Sequence, residues 1–371
     1  MIETLLGGLT PKDFLANYWQ KKPLLVRGAL PAFEGIFSKR ELLELATDED
    51  MESRFVSQDS QGVWQLERGP FKPSRFRGKA PWSVLVSGTN LISEAADTLL
   101  RRFSFIPYSR LDDLMVSYAT AGGGVGPHFD SYDVFLIQGQ GKRRWQISAQ
   151  KDLTLVEGAQ LRILKHFKPT REWVLEPGDM LYLPPQYAHN GIAESADCMT
   201  YSVGFRAPTS QEIGEAFLGY LQETLSLTGR YADAGIAPSS DPARIGEDVV
   251  DRIEAMLQRI RWTRKDVSEF VGRYMTEPKP QVFFDPPESP LSAAQFAKAC
   301  AKSGFKLDLR TQLLYHGKSL YLNGEAISCE ATQLEALRRL ASERSLDASQ
   351  VNPALVRTLY EWYCDGFGWP G

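Results

Sequence analysis

Gly122-Gly123-Gly124-Val125-Gly126-Pro127-His128-Phe129-Asp130 is the stretch on which the reading turns. Four glycines and a proline deliver the chain to His128 and Asp130. Side chains two apart on an extended segment project from one face. An imidazole and a carboxylate placed so can share one metal ion at about 2.0–2.2 Å. Short motifs of this kind also arise by chance, and a histidine in a turn can be no more than a polar surface residue. The pair gains weight from a second segment, Glu176-Pro177-Gly178-Asp179-Met180-Leu181-Tyr182-Leu183-Pro184-Pro185-Gln186-Tyr187-Ala188-His189. There Pro-Gly-Asp turns the chain, four apolar residues form a strand, and Pro184-Pro185 redirects it before His189. A β-barrel can set His189 opposite His128 and Asp130. Two histidines and one carboxylate are the facial triad that leaves positions open on Fe(II).

The surroundings of these segments are β-rich. From about Leu114 to Phe205, the runs LMVSYAT, DVFLIQG, RRWQIS, EWVLEPGDMLYLPP and MTYSVGF alternate with Gly and Pro turns. Close-spaced short strands predict an all-β barrel or sandwich. No dinucleotide or phosphate-loop motif opens a helix. In Lys142-Arg143-Arg144-Trp145-Gln146-Ile147, period two puts Arg143 on the face of Trp145 and Ile147, which look core-directed. A buried arginine stays charged and needs an anion. A carboxylate of a dicarboxylic co-substrate would supply it.

Upstream, Thr10-Pro11 starts a helix carrying Phe14, Leu15, Tyr18 and Trp19, and Leu24–Val26 reads as a short strand. Ser38-Lys39-Arg40-Glu41 is a capping box. Arg54 to Leu66 reads as a hairpin turning at Gln61-Gly62. Downstream, apolar stripes on Ile213, Phe217, Tyr220 and Leu221, and on Ile245, Val249, Ile253, Met256, Leu257 and Ile260, predict helices; the second is expected to start near Asp241-Pro242. Five prolines between Glu277 and Pro290 read as a linker. The rest mixes helices with a hairpin turning at Asn323-Gly324.

The chain has 371 residues, enough for two to three domains at about 150 residues each. Its 42 Lys and Arg against 46 Asp and Glu argue against a general nucleic-acid binder. Four scattered cysteines make neither a disulfide scaffold nor a zinc ribbon, and none has a partner histidine that would suggest a catalytic thiol. No apolar run approaches the roughly 20 residues of a membrane helix, and no signal-peptide pattern opens the chain. A soluble protein of a reducing compartment, here the cytoplasm, is the expectation.

Taken together, FLANYWQKKPLLVRGA, DDLMVSYATAGGGVGPHFDSYDVFLIQGQGKRRWQI, EPGDMLYLPPQYAHNG and MTYSVGFRAPT resemble the JmjC/cupin-type 2-oxoglutarate oxygenases, most closely the bacterial ribosomal oxygenases of the YcfD type. The likeness spans nearly the whole chain. The second block follows the second cupin motif, with Gln186 where many cupins have Gly. The first cupin motif's Glu ligand has no equivalent.

This resemblance implies an α+β, multi-domain protein: a double-stranded β-helix catalytic domain (1–207), a helical dimerisation region (208–276), a Pro-rich linker (277–290) and a winged-helix-like C-terminal domain (291–371). It implies that His128, Asp130 and His189 bind Fe(II), that Arg143 holds the distal carboxylate of 2-oxoglutarate, and that Ser117 serves the same co-substrate. Asp133 and Tyr132 would face the substrate, Asp133 holding a guanidinium. O2 is the other co-substrate. The substrate would be an arginine of a large-subunit ribosomal protein, hydroxylated on its β-carbon, and the enzyme a homodimer. The pocket residues alone leave histidine, methyl-lysine or tRNA substrates open, as well as a non-catalytic metal cupin. From Gln281 to Gly371, nine Lys and Arg against ten Asp and Glu give no phosphate-reading surface, so no direct DNA binding is expected.

Overall fold

The computed structural model describes residues 2–79 and 81–371. An N-terminal layer of helices α1 (Ile2–Leu5), α2 (Pro11–Asn17), α3 (Lys39–Leu45) and α4 (Glu94–Arg101) accompanies eleven strands: β1 (Leu24–Val26), β2 (Ser53–Gln58), β3 (Trp64–Arg68), β4 (Trp82–Val86), β5 (Leu111–Ala119), β6 (Val134–Gln140), β7 (Arg143–Ser148), β8 (Arg171–Leu175), β9 (Met180–Leu183), β10 (Ala188–Ala193) and β11 (Cys198–Phe205). Eight of these form one sheet in the order β1-β9-β6-β11-β5-β4-β2-β3, and β10-β7-β8 form a second. The pairings are antiparallel throughout. This is the double-stranded β-helix: two antiparallel sheets enclosing a space between them.

Strand alternation sorts the residues. On β6, Phe135 and Ile137 face the helical layer and join a core with Phe14, Phe103, Tyr182 and Phe205. Their neighbours Val134 and Leu136 turn inward to pack with Trp145, Ile147, Leu181 and Leu183. Here both faces of the large sheet are covered, which is why β9 and the first half of β6 read as uninterrupted apolar runs. On β4, β5 and β11 the inward set includes small polar side chains, Ser83, Ser117, Thr200 and Ser202, beside Leu85 and Met115. Their outward neighbours Val84, Val116, Tyr118, Tyr201 and Val203 are buried in the helical-side core. The enclosed space thus stays open and hydrogen-bonding while stability comes from the outer layer.

The turn before β9 shows how Pro-Gly-Asp works. Gly178 adopts φ +87°, open to glycine at little cost, and an added Cβ would lie 2.6 Å from the Leu30 carbonyl oxygen. The Asp179 carboxylate accepts from the amides of Gly28 and Glu176 and pairs with Arg27. Its role is to fix the approach to β9.

Beyond β11 come α5 (Ser210–Thr224), α6 (Glu247–Leu257) and α7 (Arg264–Thr276). The second starts later than the apolar pattern suggests: Gly246 is its N-cap, and Ile245 lies outside it, 76% exposed. The remainder comprises α8 (Ala293–Ser303), β12 (Phe305–Leu307), β13 (Leu313–His316), β14 (Ser319–Leu322), β15 (Glu325–Ile327), α9 (Ala331–Glu343), β16 (Ser345–Leu346), α10 (Pro353–Cys364) and β17 (Gly368–Pro370). It has its own core around Phe296, Phe305, Leu337 and Leu359. The Asn323-Gly324 turn has both residues at positive φ, as a two-residue hairpin needs.

The helix α7 differs in allegiance from what its position in the helical region suggests. Its Arg273 pairs with Glu325, its Thr276 hydroxyl accepts from the Gly324 amide, and Gly272 lies so near the Tyr321 ring that a Cβ would be 2.3 Å from it. It is bound to the β14–β15 hairpin as well as to α5 through Phe217, Tyr220 and Phe270. Among the described residues, no helix is long and apolar enough to cross a membrane.

Candidate metal centre and its cavity

His128 and His189 face one another as an isolated antiparallel bridge: the His128 amide donates to the His189 carbonyl (2.9 Å) and the His189 amide to the His128 carbonyl (2.8 Å). The Gln186 amide donates to the Asp130 carbonyl at 2.7 Å. Three backbone bonds thus tie the glycine-rich segment to the segment leading into β10. The imidazoles end side by side, ring centroids 4.2 Å apart. His189 Nε2 is 3.6 Å from Asp130 Oδ2. One ligand atom from each of His128, Asp130 and His189 falls within 4.8 Å of the others.

Close approach depends on missing Cβ atoms. A Cβ on Gly124 would lie 2.5 Å from the Gly191 carbonyl oxygen, and Gly126, at φ +79°, would meet Trp64 and Ile163 at under 3 Å. Gln186 holds φ +60°, the left-handed conformation that glycine supplies in many cupins.

Hydrogen bonding sets the tautomers. His128 Nδ1 is 2.8 Å from the Gly126 carbonyl, and His189 Nδ1 is 2.9 Å from the Tyr187 carbonyl. A carbonyl only accepts, so each Nδ1 carries a proton and each Nε2 is the nitrogen left to serve a metal. Burial, and secondarily the His128 charge, hold the His189 imidazole down to about 4, against the opposing pull of Asp130. Two imidazoles that turn their Nε2 atoms toward a carboxylate suit a divalent transition ion such as Fe(II).

These residues open into a cavity of about 460 Å³ between the sheets. Arg143 lies on its wall, 5% exposed, on the buried face of β7 with Trp145 and Ile147. Its Nε and Nη2 are buried without a hydrogen-bond partner, and its guanidinium stands 5.7 Å from the Trp145 ring. An unpaired buried guanidinium calls for an anion. Ser117 and Thr200 sit opposite one another in the β5–β11 register and line the same space; the Ser117 hydroxyl donates to the Thr200 carbonyl at 3.4 Å.

Tyr132, 40% exposed, is at the cavity mouth; the Asp130 charge and burial hold its phenol above the ordinary range. Asp133 is not there, which corrects the expectation that it contacts substrate. It shares the outward phase of Phe135, is fully buried, and accepts from the Tyr182 hydroxyl (2.6 Å) and Gln20 Nε2 (3.0 Å). Burial raises its carboxyl, while Tyr182 and Gln20 act the other way. Its work is to tie α2's end to β9 through the outer layer.

The cavity wall carries further polar residues outside the sequence-predicted set. Arg54 and Ser83 have buried side-chain atoms without a partner, and Glu52, Asp112 and Asp113 stand at the rim. Period two extended from Ser117 back to Asp113, and across β11 from Thr200 to Ser202, was the available signal.

In the metal-free protein, His189 stays neutral to about pH 4, whereas the unfolded chain protonates it near 6.5. The unfolded state therefore binds more protons between these values, and stability falls as pH drops through that window, by about 3 kcal/mol in full. Denaturant titrations from pH 7 to 4 should show a shallower loss for His189→Asn than for the unaltered chain. Equal slopes would mean that the folded protein protonates the imidazole.

Residues 98–213 match the family model for the JmjC domain, and residues 259–367 that for the ROXA-like winged helix. The latter begins ahead of α7, in keeping with that helix's contacts. The Ribosomal protein uL16 3-hydroxylase of Escherichia coli is 33% identical over 345 residues, 92% of this chain and 91% of that one. The crystal structure of E. coli YcfD superposes with a TM-score of 0.84 at 32% identity, covering 97% of this chain and 98% of that one. The ribosomal oxygenase YcfD in complex with cobalt and 2-oxoglutarate gives 0.82 at 32% identity over the same shares. With the double-stranded β-helix, the winged helix and this extent of likeness in one polypeptide, the chain belongs to the JmjC-domain ribosomal oxygenases.

Proposed function

We propose that this chain is an Fe(II)- and 2-oxoglutarate-dependent hydroxylase that oxidises the β-carbon of an arginine in a large-subunit ribosomal protein, uL16 by analogy with the E. coli relative. The observation that carries the chemistry is a three-ligand cluster with free Nε2 atoms in the same cavity as an unpaired buried arginine. His128, Asp130 and His189 would hold the iron. When bound, it supplies the oxygen chemistry by which 2-oxoglutarate and O2 become succinate and carbon dioxide, one oxygen atom passing to the substrate carbon.

The chain's own residues do the rest. Arg143 would hold the distal carboxylate of 2-oxoglutarate through its free Nε and Nη2, with Ser117 and Thr200 beside it. Tyr132 would face the substrate side chain. Trp145, 5.8 Å from the His189 ring, and Leu136 keep the inner wall apolar, which limits water at the reacting centre. A ribosomal substrate fits a cytoplasmic enzyme.

We infer, too, that the enzyme is a homodimer through α5 and α6. Leu218, Val250, Ile253, Leu257 and Trp262 are 45–66% exposed on these helices and the turn after them. Such a concentration of exposed apolar side chains fits a two-fold interface with a second copy.

Mass spectrometry of unhydroxylated uL16 incubated with the enzyme, Fe(II) and O2 should show a gain of one oxygen on an arginine only when 2-oxoglutarate is present. His128→Ala and Asp130→Ala should reduce succinate formation to background without unfolding the protein. Full turnover by either would remove the metal assignment. Arg143→Met should abolish 2-oxoglutarate binding in calorimetric titration, yet raise the stability of the co-substrate-free protein by about 1–2 kcal/mol, because a buried charge without an anion is gone. Retained affinity with lowered stability would contradict that role. Ile253→Asp with Leu257→Asp should halve the mass measured by light scattering; a monomeric unaltered chain would end the dimer reading.

A further inference from the structure

Among the described residues lining the cavity, all but one come from the stretch 52–204. The exception is Lys279, from the Pro-rich connector three residues past α7. Its ammonium lies 2.9 Å from Asp112 Oδ1, and Arg206 Nε is 3.7 Å from the same oxygen. Both partners are about a third exposed, so the pair sits at the rim, whereas Arg143 lies deep.

The lysine is built into place. It stands between Pro278, whose own φ is fixed, and Pro280, which biases the Lys279 backbone to extended conformations. Its carbonyl accepts from the Val282 amide at 2.8 Å. Just ahead of it, Arg206 donates to the Met275 carbonyl (2.9 Å), and Thr276 is bonded to the hairpin turn at Gly324. The connector is therefore pinned to the catalytic domain on one side and to the C-terminal unit on the other.

The ground beneath it is acidic. Glu52, Asp112 and Asp113 all line this end of the cavity. The Asp113 carboxylate accepts from the Gly88 amide at 2.9 Å. Burial and the neighbouring charges of Asp112 and Glu52 raise its carboxyl, and Lys279 pulls it back. Three carboxylates gathered at the mouth of a cavity attract a cation, and the chain provides Lys279 in direct contact with Asp112, with Arg206 further off.

We infer that Lys279 is a specificity-determining residue: an internal cation on the acidic rim, which the cationic side chain of the substrate replaces on entry. This rests on the reading of an arginine substrate. The connector then does more than join two units. It pairs with Asp112 in the free enzyme, so a neutral side chain gains nothing by displacing it. A guanidinium gains a bidentate partner in exchange for the lysine's single contact. The exchange sharpens selection for a strong cation at the expense of affinity.

The test uses the full chain without metal, so that binding is read apart from turnover. Fluorescence anisotropy would measure a labelled uL16 peptide containing the target arginine and the same peptide with glutamine there. Lys279→Met should bind the arginine peptide about two- to five-fold more tightly at low salt, the range of one exposed ion pair removed from competition. The glutamine peptide should change little, and Lys279→Arg should resemble the unaltered chain. In an Asp112→Asn background, Lys279→Met should give no further gain. Unchanged or weakened arginine binding by Lys279→Met would overturn the inference, as would an equal gain for both peptides. Circular dichroism melts would establish that each variant is folded. The substrate reading fails by a different sign: no oxygen gained by the arginine peptide under full turnover conditions. A Lys279→Met gain in affinity would still support the displaceable cation.

Discussion

The two-bond backbone bridge between His128 and His189 is the constraint from which the site follows. His128 precedes β6 of the large sheet, and His189 lies on β10 of the small one. Pairing their main chains fixes the separation of the two sheets at one point and brings both imidazoles to it. Gly124 is there because the approach of the Gly191 carbonyl leaves no room for a Cβ, and Gly126 because Trp64 and Ile163 leave none. The amide of Gln186 adds a third bond at Asp130. Carbonyl acceptors at Gly126 and Tyr187 then leave both Nε2 atoms free. Ligand spacing, ring orientation and the choice of Nδ1 as the proton-bearing nitrogen are thus set by main-chain bonds, and a metal would meet ligands that need little reorganisation.

That arrangement is costly in isolation. The interior holds an unpaired guanidinium, orphaned atoms of Arg54 and Ser83, and carboxylates at the rim. The compensation lies on the other face of the same strands, where Phe14, Phe103, Phe135, Tyr182 and Phe205 pack with rings 4.6–5.7 Å apart. Burial of each such ring contributes on the order of 2 kcal/mol. A strand with an apolar outer face and a polar inner face can line a reactive cavity without losing its place in the sheet. Asp133 shows the converse: a carboxylate on the apolar side persists because Tyr182 and Gln20 donate to it and the Arg110 guanidinium lies 3.9 Å away.

Features carried by local pattern were legible in the sequence. The histidine and aspartate two apart, the Pro-Gly-Asp turn, the inward phase of Arg143 and the Asn323-Gly324 hairpin each depend on residues within a few positions. What depended on distant partners was not. Asp133 looked like a mouth residue because it follows Asp130, yet three is an odd step and puts it in the phase of Phe135. Its partner Gln20 is 113 residues away. The allegiance of α7 is equally nonlocal: its apolar stripe reads the same whether it packs on α5 or on a hairpin fifty residues later. Lys279, in a stretch that reads as a linker, gave no local signal of reaching Asp112.

The placement of the C-terminal unit relies strongly on directed polar contacts. Tyr108 donates to the Ser342 carbonyl, Lys306 pairs with Glu94, and Arg344 lies 4.0 Å from Asp97 while donating to the carbonyls of Thr311 and Asp308. Arg206 donates to Met275 at the other end of the junction. Hydrogen bonds and ion pairs fix orientation more sharply than apolar contact of the same extent, because they tolerate little sliding. Burial holds the Arg344 guanidinium down to about 10, so this cation is retained at a cost in solvation and its two carbonyl acceptors help to make it tolerable. A junction of this kind suits a connector whose residues must keep register with the catalytic rim: a shift of one or two ångströms, harmless to an apolar seam, would take Lys279 out of reach of Asp112.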